Sequence, residues 1–292
     1  MVEEVLELFG GKQIQIFVDC NLGVGGHSKA ILEHHPEIEL ALGIDKDINA
    51  IQLAKEHLEK FKDKLQLVHG DFVHFDVYLK QLGIEKVDGV LFDLGVSSMQ
   101  LDEEERGFSF RVDGPLDMRM DQSNPLTAAS IVNTWPKEKL LNLFQVGDVK
   151  NYKQVVTKIV EWRRKKRIET TFDLLECLSG ALKKTRKHNS ATLVFQALRM
   201  ATNHEIEHLE KVLPHILKHL RKDAIAVFLS FQSIEDRIIK HFIRQMSATQ
   251  IEGKKLSPKI CNLTKKPLTP TIREIKQNRR SSSCKLRAFK GL

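Results

Sequence analysis

The residues with the clearest chemical content are Asp19-Cys-Asn-Leu-Gly23-Val-Gly25-Gly26-His27-Ser28, which follow the apolar run Ile14 to Val18 and precede a helical pattern. An acid at a strand end, glycines that let backbone approach a ligand with no Cβ in the way, and a helix start with unsatisfied N–H groups together make a nucleotide cradle. A dinucleotide loop, G-x-G-x-x-G, would carry a third glycine where Ser28 stands. The order here is D-x-x-x-G-x-G-G, an acid four residues before the first glycine. That suits a ligand with a cationic amino-acid end, S-adenosylmethionine, better than NAD. Taken alone, the loop reads equally well as a structural turn.

Three further strand ends carry comparable groups. Glu39 to Ile44 ends in Asp45, placed to accept hydrogen bonds from ribose hydroxyls. Leu65 to His69 runs into Gly70-Asp71-Phe72, a carboxylate and an aromatic for an adenine edge and face. Val87 to Phe92 runs into Asp93-Leu-Gly-Val-Ser-Ser98. Any one of these acids can be a helix N-cap or a solvated loop residue. Four in register lie on the sheet edge where open α/β folds bind ligands.

The elements that must hold this edge follow from the pattern. Strand and helix alternate regularly through residue 95. Residues 96–136 are then rich in turn formers, among them Gly107, Gly114, Pro115, Pro125 and Pro136, with no clear strand. Helical periodicity marks Lys137 to about Leu198, and the alternation resumes with a helix from Asn203 to Leu220 and a strand from Ala224 to Phe231. The expected organisation is an α/β, Rossmann-like sheet in residues 1–110 and 203–292. A helical domain at 111–202 interrupts it after the fourth strand.

Charge is segregated along this layout. Residues 1–108 carry 10 Lys and Arg against 21 acids, 109–208 carry 17 against 11, and 209–292 carry 19 against 6, giving +8 in all. A polyanion is therefore expected to meet the later segments, while the first part handles a small ligand. Arg163-Arg-Lys-Lys-Arg167 and Lys183-Lys-Thr-Arg-Lys-His188, with Trp162 and Phe172 nearby, offer phosphate contacts and stacking groups of the kind RNA takes. Lys265-Lys266, Arg273, Lys276 and Arg279-Arg280 extend the basic excess. No apolar run is long enough to span a bilayer, and the four scattered cysteines suggest neither a disulfide framework nor a thiolate metal site. A cytoplasmic protein is expected.

Asp93-Leu-Gly-Val-Ser-Ser-Met-Gln-Leu-Asp102, Glu105-Arg-Gly-Phe-Ser-Phe110 and Asp113-Gly-Pro-Leu-Asp-Met-Arg-Met resemble the signature block of the ribosomal small subunit RNA (cytosine-N4)-methyltransferase family, RsmH or MraW. Phe195-Gln-Ala-Leu-Arg199, Ser230-Phe-Gln-Ser-Ile-Glu-Asp-Arg237, Lys266-Pro-Leu-Thr-Pro270 and Asn278-Arg-Arg-Ser281 resemble its later motifs, in order. The resemblance implies a class I S-adenosylmethionine-dependent methyltransferase sheet with an inserted helical substrate domain. It also implies methyl transfer to the exocyclic N4 of a cytidine in the decoding region of 16S rRNA. By the same resemblance the cofactor contacts fall on Gly25, Gly26, His27, Asp45, Phe72, Asp93 and Gln100; His27 and Gln100 rest on it alone. From their position at the fourth strand end, Asp93 or the backbone carbonyls of Leu94 and Gly95 are placed to accept the amine proton, with Asp93 the expected catalytic residue. No metal is expected, the partner is 16S rRNA or the small subunit, and the chain is expected to be a monomer or weak homodimer.

The chain departs from the family at four places. A His-x-Pro-Val-Leu-like segment does not precede the first helix, and Phe144-Gln-Val-Gly147 stands for Tyr-Gly-Glu-Glu. Gln232 replaces a histidine, and Arg221-Lys-Asp-Ala224 replaces a Pro-Gly-Gly turn. These changes lie on the substrate side. They leave open a second reading, an rRNA-binding assembly protein that keeps the cofactor but transfers little or no methyl. Asp117 and Arg119 either face the mouth of the site or staple their own loop, and Ser97 and Ser98 either touch the base or cap the next turn. His204-Glu-Ile-Glu-His208 is a literal H-E-x-x-H, but helical spacing sets both histidines opposite the apolar stripe of Ile206, Leu209 and Leu213, as a polar helix face.

Overall fold

The computed structural model describes residues 1–181, 190–251, 254–255 and 257–292. They divide into two compact units, Met1–Gly95 with Glu207–Leu292, and Val96–Ile206. The basic run at 183–188 lies outside the described residues.

The first unit is built on β1 (Ile16–Asp19), β2 (Leu40–Asp45), β3 (Leu65–His69), β4 (Val87–Asp93) and, after the second unit, β5 (Leu220–Ser230). A small hairpin, β6 (Gln250–Ile251) and β7 (Lys254–Lys255), stands apart, and β8 (Ile260–Asn262) and β9 (Lys285–Gly291) complete a seven-stranded sheet of order β3-β2-β1-β4-β5-β9-β8. β1 to β5 are parallel, and β9 enters antiparallel to both β5 and β8. Successive strand residues point to opposite faces. Val18, Phe92 and Phe228 go to one core, while Phe17, Leu91 and Val227 go to the other. Both faces of β1, β4 and the later part of β5 are therefore buried, which is why these central strands read as near-continuous apolar runs rather than as an alternation.

Helices α1 (Val2–Phe9), α2 (Gly26–His34) and α3 (Ile48–His57) contribute to one core. α4 (Phe75–Gln81), the later part of Glu205–His219, and Ser233–Met246 contribute to the other. In the second core Phe92 stacks on Phe228 (centroids 5.1 Å, 15°) and Phe228 on Phe289 (5.7 Å, 25°), a pile of rings across β4, β5 and β9. Phe72 meets Phe92 edge-on at 5.4 Å. The strand expected from Ala224 starts earlier, at Leu220, through a register shift between Val87 and Gly89. Asp223 takes the left-handed conformation there (φ 65°). A short polar side chain tolerates that region, so the turn survives without the family's glycines.

The second unit holds α5 (Ser98–Asp102), α6 (Ala128–Thr134), α7 (Lys137–Val146), α8 (Tyr152–Trp162), α9 (Thr171–Cys177) and α10 (Ser190–Thr202); α11 is Glu205–His219 and begins in it. α12 is Ser233–Met246 and α13 is Ile272–Gln277. The turn-rich block at 104–124 is tied down by arginines. Arg106, 4% exposed, donates to the carbonyls of Arg119 and Met120. Arg119 donates twice to Asp117 (2.8 and 2.7 Å) and also to the carbonyls of Gln122 and Asn124. Of the two readings of Asp117 and Arg119, the loop staple is the one built. Arg119→Ala is expected to destabilise this unit by about 1–2 kcal/mol, the usual range for removing charge-assisted hydrogen bonds at a part-exposed site. Urea unfolding followed by the Trp135 and Trp162 fluorescence of this unit checks it.

Candidate cofactor-binding site

Five of the seven positions assigned to the cofactor belong to the C-terminal edge of β1, β2 and β4 and the loops that leave it, and Phe72 follows β3. Gly25 is left-handed (φ 83°), and a Cβ there would stand 2.7 Å from Cδ1 of the fully buried Leu58. The position thus needs glycine twice over. α2 starts at the next residue with no side chain capping it, so its first N–H groups face outward. Asp45, at the end of β2, holds the loop from the side: its Oδ2 accepts from the Gly23 N–H (2.7 Å) and its Oδ1 from that of Asp47 (2.9 Å). A carboxylate offers about four acceptor positions. Two therefore remain for ligand hydroxyls.

Asp19 lies beneath the loop, 1% exposed, and accepts from the Ser28 hydroxyl (2.7 Å) and the Asn21 N–H (3.2 Å). This explains Ser28 in place of a third glycine: its hydroxyl anchors the start of α2 to the end of β1. Burial pushes the Asp19 carboxyl up to about 6. Asp93, the last residue of β4, is pushed further, to about 7, by burial and then by the neighbouring charge of Asp19. His27 Nε2 lies 3.6 Å from Asp93 Oδ2, too long for a hydrogen bond. Burial depresses its imidazole to about 4, so it is neutral near pH 7.

Among the described residues, four buried side-chain polar atoms lack a hydrogen-bond partner, and two of them, Asn21 Oδ1 and His27 Nδ1, belong to this loop and the first turn of α2. Orphaned buried polar atoms are rare and mark places where a ligand or water completes the bonding. With the glycine cradle, they fit a bound nucleotide-like cofactor carrying its own donors and acceptors.

Asp71 behaves differently from the expectation of an adenine-edge acceptor. Its Oδ1 caps the turn after β3 at the Val73 N–H (3.0 Å), and its Oδ2 takes Lys46 Nζ at 2.8 Å and His208 Nδ1 at 2.6 Å. Burial alone would raise it, but the His208 hydrogen bond and the Lys46 ammonium bring it down to about 2. Lys46 Nζ also sits 5.6 Å from the Phe72 ring centroid. Asp71 is thus the hub that fixes Lys46 and the Phe72 turn. Lys46 and His208 were not anticipated from spacing. The only sequence signal for His208 was the H-E-x-x-H, which suggested other chemistry. That motif is dismantled locally: His204 is left-handed (φ 52°) ahead of α11, and Glu205 is clamped by Arg199 at 2.8 Å through both carboxylate oxygens. No group of three or more potential metal ligands occurs among the described residues.

Gln100 belongs to the second unit, 3% exposed. Its Oε1 accepts from the Ser97 N–H, and Ser97 Oγ caps α5 in return, so Ser97 is a cap. Glu235 plays the same part at α12, accepting from the N–H groups of Phe231 and Gln232.

The profile of the MraW methylase family matches residues 1–292. The chain belongs to that family. It is 45% identical over 300 residues to the ribosomal RNA small subunit methyltransferase H of Protochlamydia amoebophila, covering 98% of this chain and 94% of that one. The proteins of the same name from Helicobacter pylori (strain J99) and Hydrogenobaculum are each 42% identical, covering 99% of this chain and 95% and 94% of theirs. The sheet order, with one antiparallel strand inserted next to the edge, is accordingly the class I methyltransferase arrangement of an MraW methylase.

Proposed function

We propose that this MraW-family protein methylates the exocyclic N4 of a cytidine in the decoding region of 16S rRNA, with S-adenosylmethionine as methyl donor. The observation that carries the reading is the β4 end. There the Asp93 carboxyl lies 3.6 Å from His27 Nε2, its pKa pushed up to about 7 and that of the imidazole down to about 4, at the edge of a glycine cradle with two unsatisfied polar atoms. Gly25, Gly26 and His27 would hold the amino-acid end of the cofactor, Asp45 the ribose and Phe72 the adenine face. Gln100 is carried over from the family resemblance. The protein acts in the cytoplasm, where ribosomal subunits are assembled.

When bound, S-adenosylmethionine supplies a methyl group already activated on a sulfonium. The chain's own task is then to position the amine and dispose of a proton. Alignment of reacting groups can contribute about 7–11 kcal/mol in the best cases. A carboxylate near pKa 7 is well matched to take the proton that N4 loses on forming its new bond to carbon. Extruding the cytosine from its stack would cost a few kcal/mol, least in a loop.

Transfer of labelled methyl to small ribosomal subunits, followed by mass mapping of the modified nucleoside, tests the reading. N4-methylcytidine in the decoding region is the expected product. Cofactor binding with no transfer would instead favour the assembly-protein reading. A narrower expectation concerns Asp71. Asp71→Asn should raise the cofactor KM about five- to tenfold with little change in kcat, the scale of one or two weakened charge-assisted hydrogen bonds. Steady-state kinetics with saturating RNA checks it.

A further inference from the structure

The basic runs that point to RNA differ in what the fold has already done with them. Of Arg163 to Arg167, Arg163 is bonded to the carbonyls of Val132 and Trp135, Lys166 to Asp173 at 2.6 Å, and Arg167 to Glu169 at 3.4 Å. Near the chain's other end, Lys285 and Arg287 are both held by Asp236, and Lys290 by Asp223. Arg163, Lys166 and Arg167 thus brace the structure, as do Lys285, Arg287 and Lys290, and only Arg164 and Lys165 of the 163–167 run are left exposed without a side-chain bond among the described residues.

Residues 265–280 are different. They carry Lys265, Lys266, Arg273, Lys276, Arg279 and Arg280 against a single acid, Glu274. All six cations are exposed. The side chains of Lys265, Lys266, Arg273, Lys276 and Arg279 make no hydrogen bond or ion pair with the described residues. Arg273 and Lys276 are three apart on α13 and so share a face. Between the cations stand two exposed apolar side chains, Leu268 at 40% and Ile272 at 76%. The segment is not a loose tail: Leu268 pairs with Leu286 of β9 through both backbone hydrogen bonds, and Asn278 caps the turn that follows α13. It also lies in line with the reactive edge: Leu268 pairs with Leu286 of β9, Leu286 with Leu229 of β5, and Leu229 with Asp93 of β4.

We propose that residues 265–280 form the docking surface for the RNA backbone beside the cofactor site, with Ile272 packing against an unstacked nucleotide. This rests on the reading of the site as an rRNA methyltransferase centre. The charge argument favours a polyanion, and the apolar side chains among the cations favour a strand whose base and sugar faces are open rather than a closed duplex. The surface therefore belongs to the unit that binds the cofactor, and target strand and methyl donor are handled by the same sheet.

The test uses the whole protein and a 16S rRNA fragment spanning the decoding region, with binding measured as a function of salt. Removing one cation that neutralises a phosphate should reduce the slope of log affinity against log salt by about 0.7 on a single strand. Lys265→Ala/Lys266→Ala and Arg273→Ala/Lys276→Ala should each lower it by about 1.4. Cofactor affinity and melting temperature should be unchanged, since these side chains brace nothing. Ile272→Glu should weaken RNA binding while leaving the wild-type cofactor affinity. Wild-type binding with unaltered slope in both double variants overturns the surface while leaving the enzymatic reading intact. Failure of the wild-type protein to bind the fragment overturns the surface, whereas binding with the expected slopes but no methylation of subunits overturns the enzymatic reading alone. Capture of a ribosomal protein by this face, with RNA affinity unaffected by the substitutions, likewise overturns the RNA assignment.

Discussion

Asp93→Asn should lower kcat by about 10²- to 10³-fold, within the span that a positioned proton acceptor ordinarily contributes. The amide keeps the size of the carboxyl and loses its basicity. In the wild-type protein the rate should rise with pH and level off above about 7, where the carboxyl is ionised. The variant's residual rate should lack that inflection. Stability moves the other way. A carboxyl whose folded pKa lies above its unfolded value is better tolerated in the fold when protonated. The stability it contributes is present at low pH and is lost as pH rises toward and through about 7. The cofactor-free Asn variant should therefore melt no lower than wild type at pH 8 while transferring far less methyl. A drop in melting temperature parallel to the loss of rate would reduce Asp93 to a structural residue. An equal loss of cofactor affinity and rate would make it a cofactor contact only.

Gly25→Ala should weaken cofactor binding about thirty-fold or more. A residue with a Cβ in the left-handed region costs about 1–2 kcal/mol, and forcing Leu58 aside in a packed core adds roughly another 1–3. The loop can escape both only by leaving the conformation that offers the α2 N–H groups. Because Asp45 and Asp19 hold the loop from two sides, the strain cannot relax locally. Titration calorimetry with S-adenosylmethionine reads the effect directly, and unchanged affinity would mean that the cofactor does not use this turn.

Much of this arrangement was visible in the chain because the sheet is buried on both faces. Its first four strands are short, mostly apolar runs that end at, or run directly into, an acid or glycine, so the reactive edge could be drawn from Asp19, Asp45, Gly70 and Asp93. What stayed hidden were pairings between residues distant in sequence. Nothing near Asp71 announces that its carboxylate will be occupied by His208, 137 positions later. The bond from Ser28 to Asp19 likewise turns an apparent defect in a glycine motif into a brace. Boundaries moved where tertiary contacts intervened. β5 extends back to Leu220 across the Arg221–Asp88 ion pair, and His204 leaves the helix its periodicity assigned to it. The charge totals were informative about a polyanion partner. They could not say which cations the fold would neutralise, and on that distinction the 265–280 surface depends.

The order of the sheet has a bearing on how the protein comes into being. β4 and β5 are neighbours in space yet stand on either side of the whole second unit in sequence, and β9 must slip between β5 and β8 after both exist. A nascent chain can lay β1 to β4 side by side early. The ring pile that backs Phe72, however, waits for Phe228 and then for Phe289. Such late, long-range pairing is slow and leaves apolar strand surface open in the interval. The capacity to grip a methyl donor should therefore appear late and abruptly as the chain is made, and a partly synthesised copy should be unable to sequester the cofactor.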